Sequence, residues 1–268
     1  MLGSEVVPRR RPRAPRTVLG VAGAVLAVLV AATGARLLVG VATLADEHAH
    51  ASYPLEGRRL VIEGSGSAST LRISAGQPGR VEVDRVVHHD LQRPELTQRL
   101  DGDRLVLGAR CPTFIVVRCD ASYDLRVPAA IDIQVRNPSG DIRLTGVQGS
   151  VDLRTGSGSI TLQGGSGTAR LRTDDGSIRA GGLRATDVDA SSDSGRIAIE
   201  LIVVPRQVVA RSSDGNVQIV VPAGPRAYHV DARSTDGKVT TAVPTDPESP
   251  MRITASSSSG DVVLRRAG

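Results

Sequence analysis

Residues 139–162 read SGDIRLTGVQGSVDLRTGSGSITL, and they hold the end of one repeat and most of the next. Each repeat places two apolar residues at alternate positions. Asn, Thr or Ser follows, then any residue, then Ser or Asp, then Gly, then two more alternating residues of mainly apolar type. The pattern occurs seven times in the chain, with its glycines at Gly140, Gly158, Gly176, Gly195, Gly215, Gly237 and Gly260. The spacings are 18, 18, 19, 20, 22 and 23 residues. A period near twenty marks one small unit stacked on copies of itself.

Period-two alternation puts each apolar pair on one face of a strand. Before the turn the pairs run from Ile133/Val135 through Val230/Ala232 to Ile253/Ala255. After it they run from Ile142/Leu144 through Val239/Thr241 to Val262/Leu264. The turn residues suit a tight corner: the first side chain can bond the backbone two residues on, Pro138 suits the second position, and Gly tolerates positive φ. Two topologies fit. Each copy is either one coil of a solenoid or one antiparallel hairpin of a meander. The constant register, and the absence of Asn-Gly in the loops, predict the solenoid. A single coil buries too little to offset the entropy of ordering it, so the copies must stack.

Composition agrees with a thin aliphatic interior. Aromatics are 1% of the 268 residues, namely Tyr53, Phe114, Tyr123 and Tyr228, with no Trp. The net charge is +5, but residues 1–35 alone hold five arginines (Arg9, Arg10, Arg11, Arg13 and Arg16) against Glu5, leaving about +1 for the rest. The basic balance therefore belongs to the N-terminal arm. With no aromatic platforms among basic residues, nucleic acid is not an expected partner.

The chain divides into a basic cytoplasmic arm (1–16), a transmembrane anchor (17–45), a polar stalk (46–57), an N-terminal β cap region (58–130) and the repeats (131–268). Residues 17–35 are nineteen uncharged residues, close to the length that crosses a bilayer, and positive flanks stay cytoplasmic. A cleaved signal peptide is the competing reading, although its apolar core normally spans about 7–15 residues. The expectation is a single-pass protein of the cell membrane with its C-terminal domain outside the cytoplasm. Short alternating runs in 58–130 predict strands, among them TFIVVRC (113–119), which would cover one end of the stack. Residues 92–103 are expected to form a loop or a single turn. Cys111 and Cys119, the only cysteines, favour a disulfide in an exported chain; two buried thiols are the alternative.

No catalytic constellation emerges. Asp175, Asp214 and Asp236 share a turn position with Ser139, Ser157, Ser194 and Ser259, an exchange that suits a turn and not a general acid. Gly164-Gly165-Ser166-Gly167 approaches a calcium repeat, but Ala169 stands where the ligand belongs. His48 and His50, beside Asp46 and Glu47, read as a solvated stalk. No metal or cofactor is expected. Stacked coils would align Arg136, Arg154, Arg172, Arg211 and Arg233 in a basic stripe, with Asp152, Asp189 and Asp231 in the adjacent column. Such a stripe suits anionic envelope polymer or lipid headgroups.

The stretch quoted above, together with the C-x7-C spacing and YDLRVP shortly before it, resembles the bacterial "putative adhesin" family over roughly residues 58–265. The resemblance implies a right-handed β-helix-like fold on an exported or membrane-anchored protein. It implies no catalytic residues, and in some relatives it implies a link to envelope stress. The expected function is an adhesin-like binding or scaffold module of the cell envelope that touches anionic polymer or another envelope protein. The alternatives are an envelope-stress regulator and, against the aromatic shortage, a carbohydrate-active β-helix enzyme.

Overall fold

The computed structural model describes residues 45–66, 69–89, 94–111 and 119–268. The basic arm, the anchor but for Ala45, and the expected strand at 113–118 lie outside them. Among the described residues no helix is long and apolar enough to cross a membrane.

The N-terminal part contributes β1 (Ala45–Pro54), β2 (Arg59–Gly66), β3 (Ser69–Gly76), β4 (Arg80–His89), β5 (Glu95–Asp101), β6 (Arg104–Arg110) and β7 (Cys119–Pro128). The repeats then supply strands in pairs, one before and one after each corner. They are β8 (Asp132–Ser139) and β9 (Ile142–Thr145), β10 (Val151–Ser157) and β11 (Ile160–Gln163), β12 (Ala169–Asp175) and β13 (Ile178–Leu183), and β14 (Asp187–Ser192) and β15 (Ile197–Leu201). The last three pairs are β16 (Gln207–Ser212) and β17 (Val217–Val221), β18 (His229–Ser234) and β19 (Val239–Ala242), and β20 (Arg252–Ser257) and β21 (Val262–Arg266).

The two strands of a repeat lie in different sheets. The eleven-stranded sheet runs β1-β4-β7-β3-β9-β11-β13-β15-β17-β21-β19, and the ten-stranded sheet runs β18-β20-β16-β14-β12-β10-β8-β2-β6-β5. Equivalent residues pair in parallel, as Val151 does with Ile133 and Ala169, and Ile160 with Ile142 and Ile178. This is coil-on-coil stacking and not a meander of hairpins. The inward positions read from sequence are buried in six copies; the exceptions are the four of the sixth copy, Val230, Ala232, Val239 and Thr241.

Three expectations need correction. Residues 46–57 are not a stalk: β1 pairs antiparallel with β4 from Ala45 to Pro54. Residues 95–101 are not a loop but β5, antiparallel to β6. The region 58–130 is also more than a cap. β2 and β3 pair in parallel with β8 and β9, and β6 and β7 pair in parallel with β2 and β3, so two further coils continue the stack.

The stack does not follow chain order at its ends. β6/β7 lies outside β2/β3, while β20/β21 inserts between β16/β17 and β18/β19. The inward residues give the reason for the second inversion. The seventh repeat offers Ile253, Ala255, Val262 and Leu264, all buried. The sixth offers Thr241 in an aliphatic position. An unpaired hydroxyl is costly in a core and harmless at an end, so the more polar coil terminates the stack.

The corners hold the closest contacts between coils. Thr155 donates to the Gly140 carbonyl at 3.0 Å, Thr173 to Gly158 at 2.8 Å, Ser192 to Gly176 at 2.8 Å and Ser212 to Gly195 at 2.9 Å. Beyond them, Ser257 donates to Gly215 at 2.9 Å and Ser234 to Gly260 at 2.7 Å, so the ladder follows spatial order and not sequence order. In three coils the same hydroxyl also accepts from its own glycine N–H, at 2.9 Å in Gly195, Gly237 and Gly260. The first turn residue thus bonds mainly to the neighbouring coil and not two residues along its own chain.

The glycines are also required for a reason other than the one expected. Among the seven, only Gly140 and Gly158 have positive φ. A Cβ at Gly176, Gly195, Gly215 or Gly260 would instead stand 1.8–2.4 Å from the glycine carbonyl oxygen of the coil beneath.

Two tyrosines serve the ends of the core. Tyr123 on β7 crosses to the other sheet, where its hydroxyl donates to the Gly108 carbonyl at 3.2 Å. Tyr228 is buried beside the last coil. Burial raises the pKa of both phenols, against a smaller opposing pull from Arg85 on Tyr123 and Arg226 on Tyr228.

Replacing Ser192 with Ala strips a buried carbonyl and a buried N–H of their partner, and should cost roughly 1–3 kcal/mol. Gly195→Ala forces the coils apart, at a comparable or larger overpacking cost of roughly 1–3 kcal/mol or more. Chemical denaturation should show a lowered midpoint for both, and an unchanged Gly195→Ala midpoint would place the coils farther apart than described. The tyrosines set a second expectation. The native state keeps phenolic protons that the unfolded chain releases near pH 10. Their stabilisation is complete below that pH and is lost as pH rises toward the raised folded pKa. Thermal melts should fall on the alkaline side, and Tyr123→Phe, although less stable at neutral pH, should fall less steeply.

Candidate functional site

The outward positions of the ten-stranded sheet form rows across the strands. The ladder places Glu63, Arg136, Arg154, Arg172, Ser191, Arg211, Ser256 and Arg233 side by side in that order. The stacking therefore brings Arg136, Arg154 and Arg172 onto adjacent strands. Ser191 separates Arg172 from Arg211, and Ser256 separates Arg211 from Arg233. The second separation was hidden in the sequence, because chain order makes Arg211 and Arg233 successive copies.

The row two residues earlier runs Val61, Gln134, Asp152, Arg170, Asp189, Val209, Thr254 and Asp231. It neutralises part of the arginine row. Asp189 sits between two guanidiniums, 3.7 Å from Arg172 and 3.9 Å from Arg211. Arg233 meets Asp231 at 2.8 Å. Asp152 instead accepts from Gln134 at 3.4 Å. Arg136 and Arg154 form no ion pair among the described residues.

These two arginines line a surface groove of about 700 Å³, with Pro138, Gly156 and Asp174 on one side and Glu63 and Gly64 at one end. Gly156 leaves the floor low, since a Cβ there would stand 2.5 Å from the Pro138 carbonyl oxygen. Glu63 is held by Arg104 on β6. The groove thus offers two guanidiniums without ion-pair partners on neighbouring strands, with the Asp174 carboxylate on its wall. Forked N–H donors of this kind match carboxylate and phosphate oxygens. Sequence reading found the arginines but not the groove. The coil of β2 and β3, which supplies Glu63 and Gly64, lacks the four-residue turn that marks the later copies.

Elsewhere, His50 lies on β1 and its Nδ1 is 2.6 Å from Asp84 Oδ1. Arg126 donates to the other Asp84 oxygen at 3.0 Å. The His50 hydrogen bond, then the charges of His50 and Arg126, hold the Asp84 carboxyl below the usual range against some desolvation. Both partners are well exposed, so this is a strand-to-strand tie of modest strength. Among the described residues no cluster of His, Cys, Asp and Glu is arranged to hold a metal ion. The Cys111–Cys119 bridge turns on the Cys119 side chain, which lies outside the described residues.

The model of the Toastrack DUF4097 family matches residues 119–265, from β7 into β21. Among solved structures, a "putative adhesin" from Bacteroides fragilis is similar over 82% of this chain and 97% of its own, at 13% identity and a TM-score of 0.46. A "putative cell adhesion protein" from Clostridium sporogenes is similar over 82% and 100%, at 9% identity and a TM-score of 0.38. A "putative adhesin" from Parabacteroides distasonis is similar over 81% and 97%, at 9% identity and 0.40. No curated protein matches.

Proposed function

We propose that this chain, which belongs to the Toastrack DUF4097 family, is a binding module of the bacterial cell envelope that holds an anionic polymer at the β2 side of its arginine row, on Arg136 and Arg154. The reading assigns it no catalysis. The observation that carries it is the pair Arg136 and Arg154, stacked on adjacent strands, lining a groove and lacking carboxylate partners. Repetition strengthens the reading. A polymer that repeats its charge can meet Arg136 and Arg154 together, because they repeat on neighbouring strands about 4.8 Å apart. The apolar run at 17–45 is read as a single-pass anchor with its N-terminus in the cytoplasm, which puts the coils outside. Cys111 and Cys119 are read as a disulfide, in keeping with that compartment.

Two measurements test this. Full-length protein alkylated without reductant should gain no adduct at either cysteine and two after reduction; two adducts before reduction would reject the bridge. Binding of labelled polyphosphate and polyglutamate in detergent should weaken as salt rises. Arg136→Gln with Arg154→Gln should weaken it by about tenfold or more, as expected for lost charge-assisted bonds. Arg233→Gln, whose guanidinium is already engaged by Asp231, should change it little. An unaltered affinity in the double variant would overturn the assignment.

A further inference from the structure

The two ends of the stack differ. At the β1 end, antiparallel strands β4, β1 and β5 extend the sheets beyond the last coil. At the other end, β18 and β19 are the outermost strands of their sheets. Val230 and Ala232 are only half-buried, Val239 is 44% exposed and Thr241 is exposed. With Tyr228, His229 and the segment Thr245–Pro247 they line a depression of about 370 Å³. That segment already takes the outer edge at Tyr228, whose N–H donates to the Pro244 carbonyl and whose carbonyl accepts from Asp246, so the open edge begins at Val230. The Tyr228 hydroxyl is buried there without a hydrogen-bond partner.

The open edges have a definite polarity. His229 N–H donates to the carbonyl of Met251, the residue just before β20. Alternate residues of a strand bond to the same neighbour, so the backbone groups of Val230, Ala232 and Ser234 face outward. On β19, the Lys238 carbonyl accepts from Val262, so those of Val239 and Thr241 face outward.

From this we infer that the β18/β19 end is a self-association surface, whose occupant is the same end of a second copy related by a twofold axis. Antiparallel pairing of β18 with its counterpart about Ala232 lets Ala232 exchange both backbone hydrogen bonds with its equivalent. Val230 then lies opposite the second copy's Ser234. The same register puts Asp231 opposite Arg233 of the second copy, twice, so the charges complement one another about the axis. On the other sheet, pairing about Thr240 puts Val239 opposite Thr241. Ala232 and Thr240 stand four residues before and after Asp236 at the corner, so a single axis serves both sheets. Two half-open cores close on one another, and the half-buried Val230 and exposed Val239 are covered.

The pairing also fixes where the chains enter. Ala45 begins β1, the opposite edge of the sheet that ends in β19. In the joined pair the two entry points are on the order of 100 Å apart at about 4.8 Å per strand. That separation suits a link between two facing surfaces.

The test is sedimentation equilibrium of the full chain in density-matched detergent. The native protein should show twice the single-chain mass at micromolar concentration. Asp231→Arg and Arg233→Asp should each return the single-chain mass, because like charges then face each other. The two combined should restore the double mass. Val239→Lys, on the other sheet, should also give single chains, and far-UV circular dichroism should show that every variant keeps its strands. The inference is overturned by a native protein that stays single throughout, by a double mass that survives the single charge changes, or by a charge swap that fails to restore it.

Discussion

The close approach of successive corners is the constraint on which the rest of the structure depends. Each coil sets its glycine against the glycine carbonyl of the coil beneath, and a hydroxyl three residues before that glycine donates to the same carbonyl. The two demands are linked. A side chain at the glycine would lift the coil away, and the hydroxyl would then fall short of its acceptor. A carbonyl buried between coils without a donor would be costly, so the small residue and the hydroxyl are required together. This explains why the turn holds its length of four residues in all seven repeats while the opposite corners lengthen from copy to copy.

That constraint also decides how much of the fold is legible in the sequence. The corner signature is explicit, and it revealed the seven repeats, their inward pairs and their shared register. The coils of β2/β3 and β6/β7 lack the signature. Leu60/Ile62 and Leu71/Ile73 are inward pairs like the others, but the connection between them is of another length, so spacing did not expose them. Chain order at the ends was not legible either. Repeats that share one pattern can exchange neighbours without violating any local rule. Only a comparison of inward residues, Thr241 against Leu264, shows which of the last two belongs outside. β1 was missed because the alternating positions of DEHAHASY hold only small Ala49 and Ala51 before Tyr53, among charged and imidazole side chains: it is a strand by virtue of pairing with β4, and tertiary context overrode local preference.

The surface follows from the same stacking. Outward residues at one repeat position become a row across a sheet, so any bias at that position is multiplied by the number of coils. Arginine is the bias in the row through Arg154, and the adjoining aspartates keep it from becoming a uniform positive band. Asp189, placed between Arg172 and Arg211, quiets the middle of the row. No carboxylate is ion-paired with Arg136 or Arg154 among the described residues: Glu63, opposite Arg136, is held by Arg104, Asp152 accepts from Gln134, and Arg170 occupies the next strand. The free charge is therefore concentrated near the β2 side of the row and not spread along it. The sequence supplied the arginines, whereas their inequality depends on which strands are neighbours.

The scarcity of aromatic rings has its explanation in the same geometry. The space between the sheets is filled by aliphatic residues such as Leu153, Ile160, Ala190 and Ile199, all buried, and a ring repeated at such a position would demand space in every layer. At an end there is no next layer to accommodate. Tyr123 sits in the outermost N-terminal coil and spans the core to Gly108, while Tyr228 lies beside the outermost C-terminal coil. Rings close the interior where stacking stops. Tyr123 is followed by β4, β1 and β5, and its hydroxyl is satisfied. Tyr228 is followed by no further strand and keeps a buried hydroxyl without a partner, which marks the β18/β19 end as the less complete of the two.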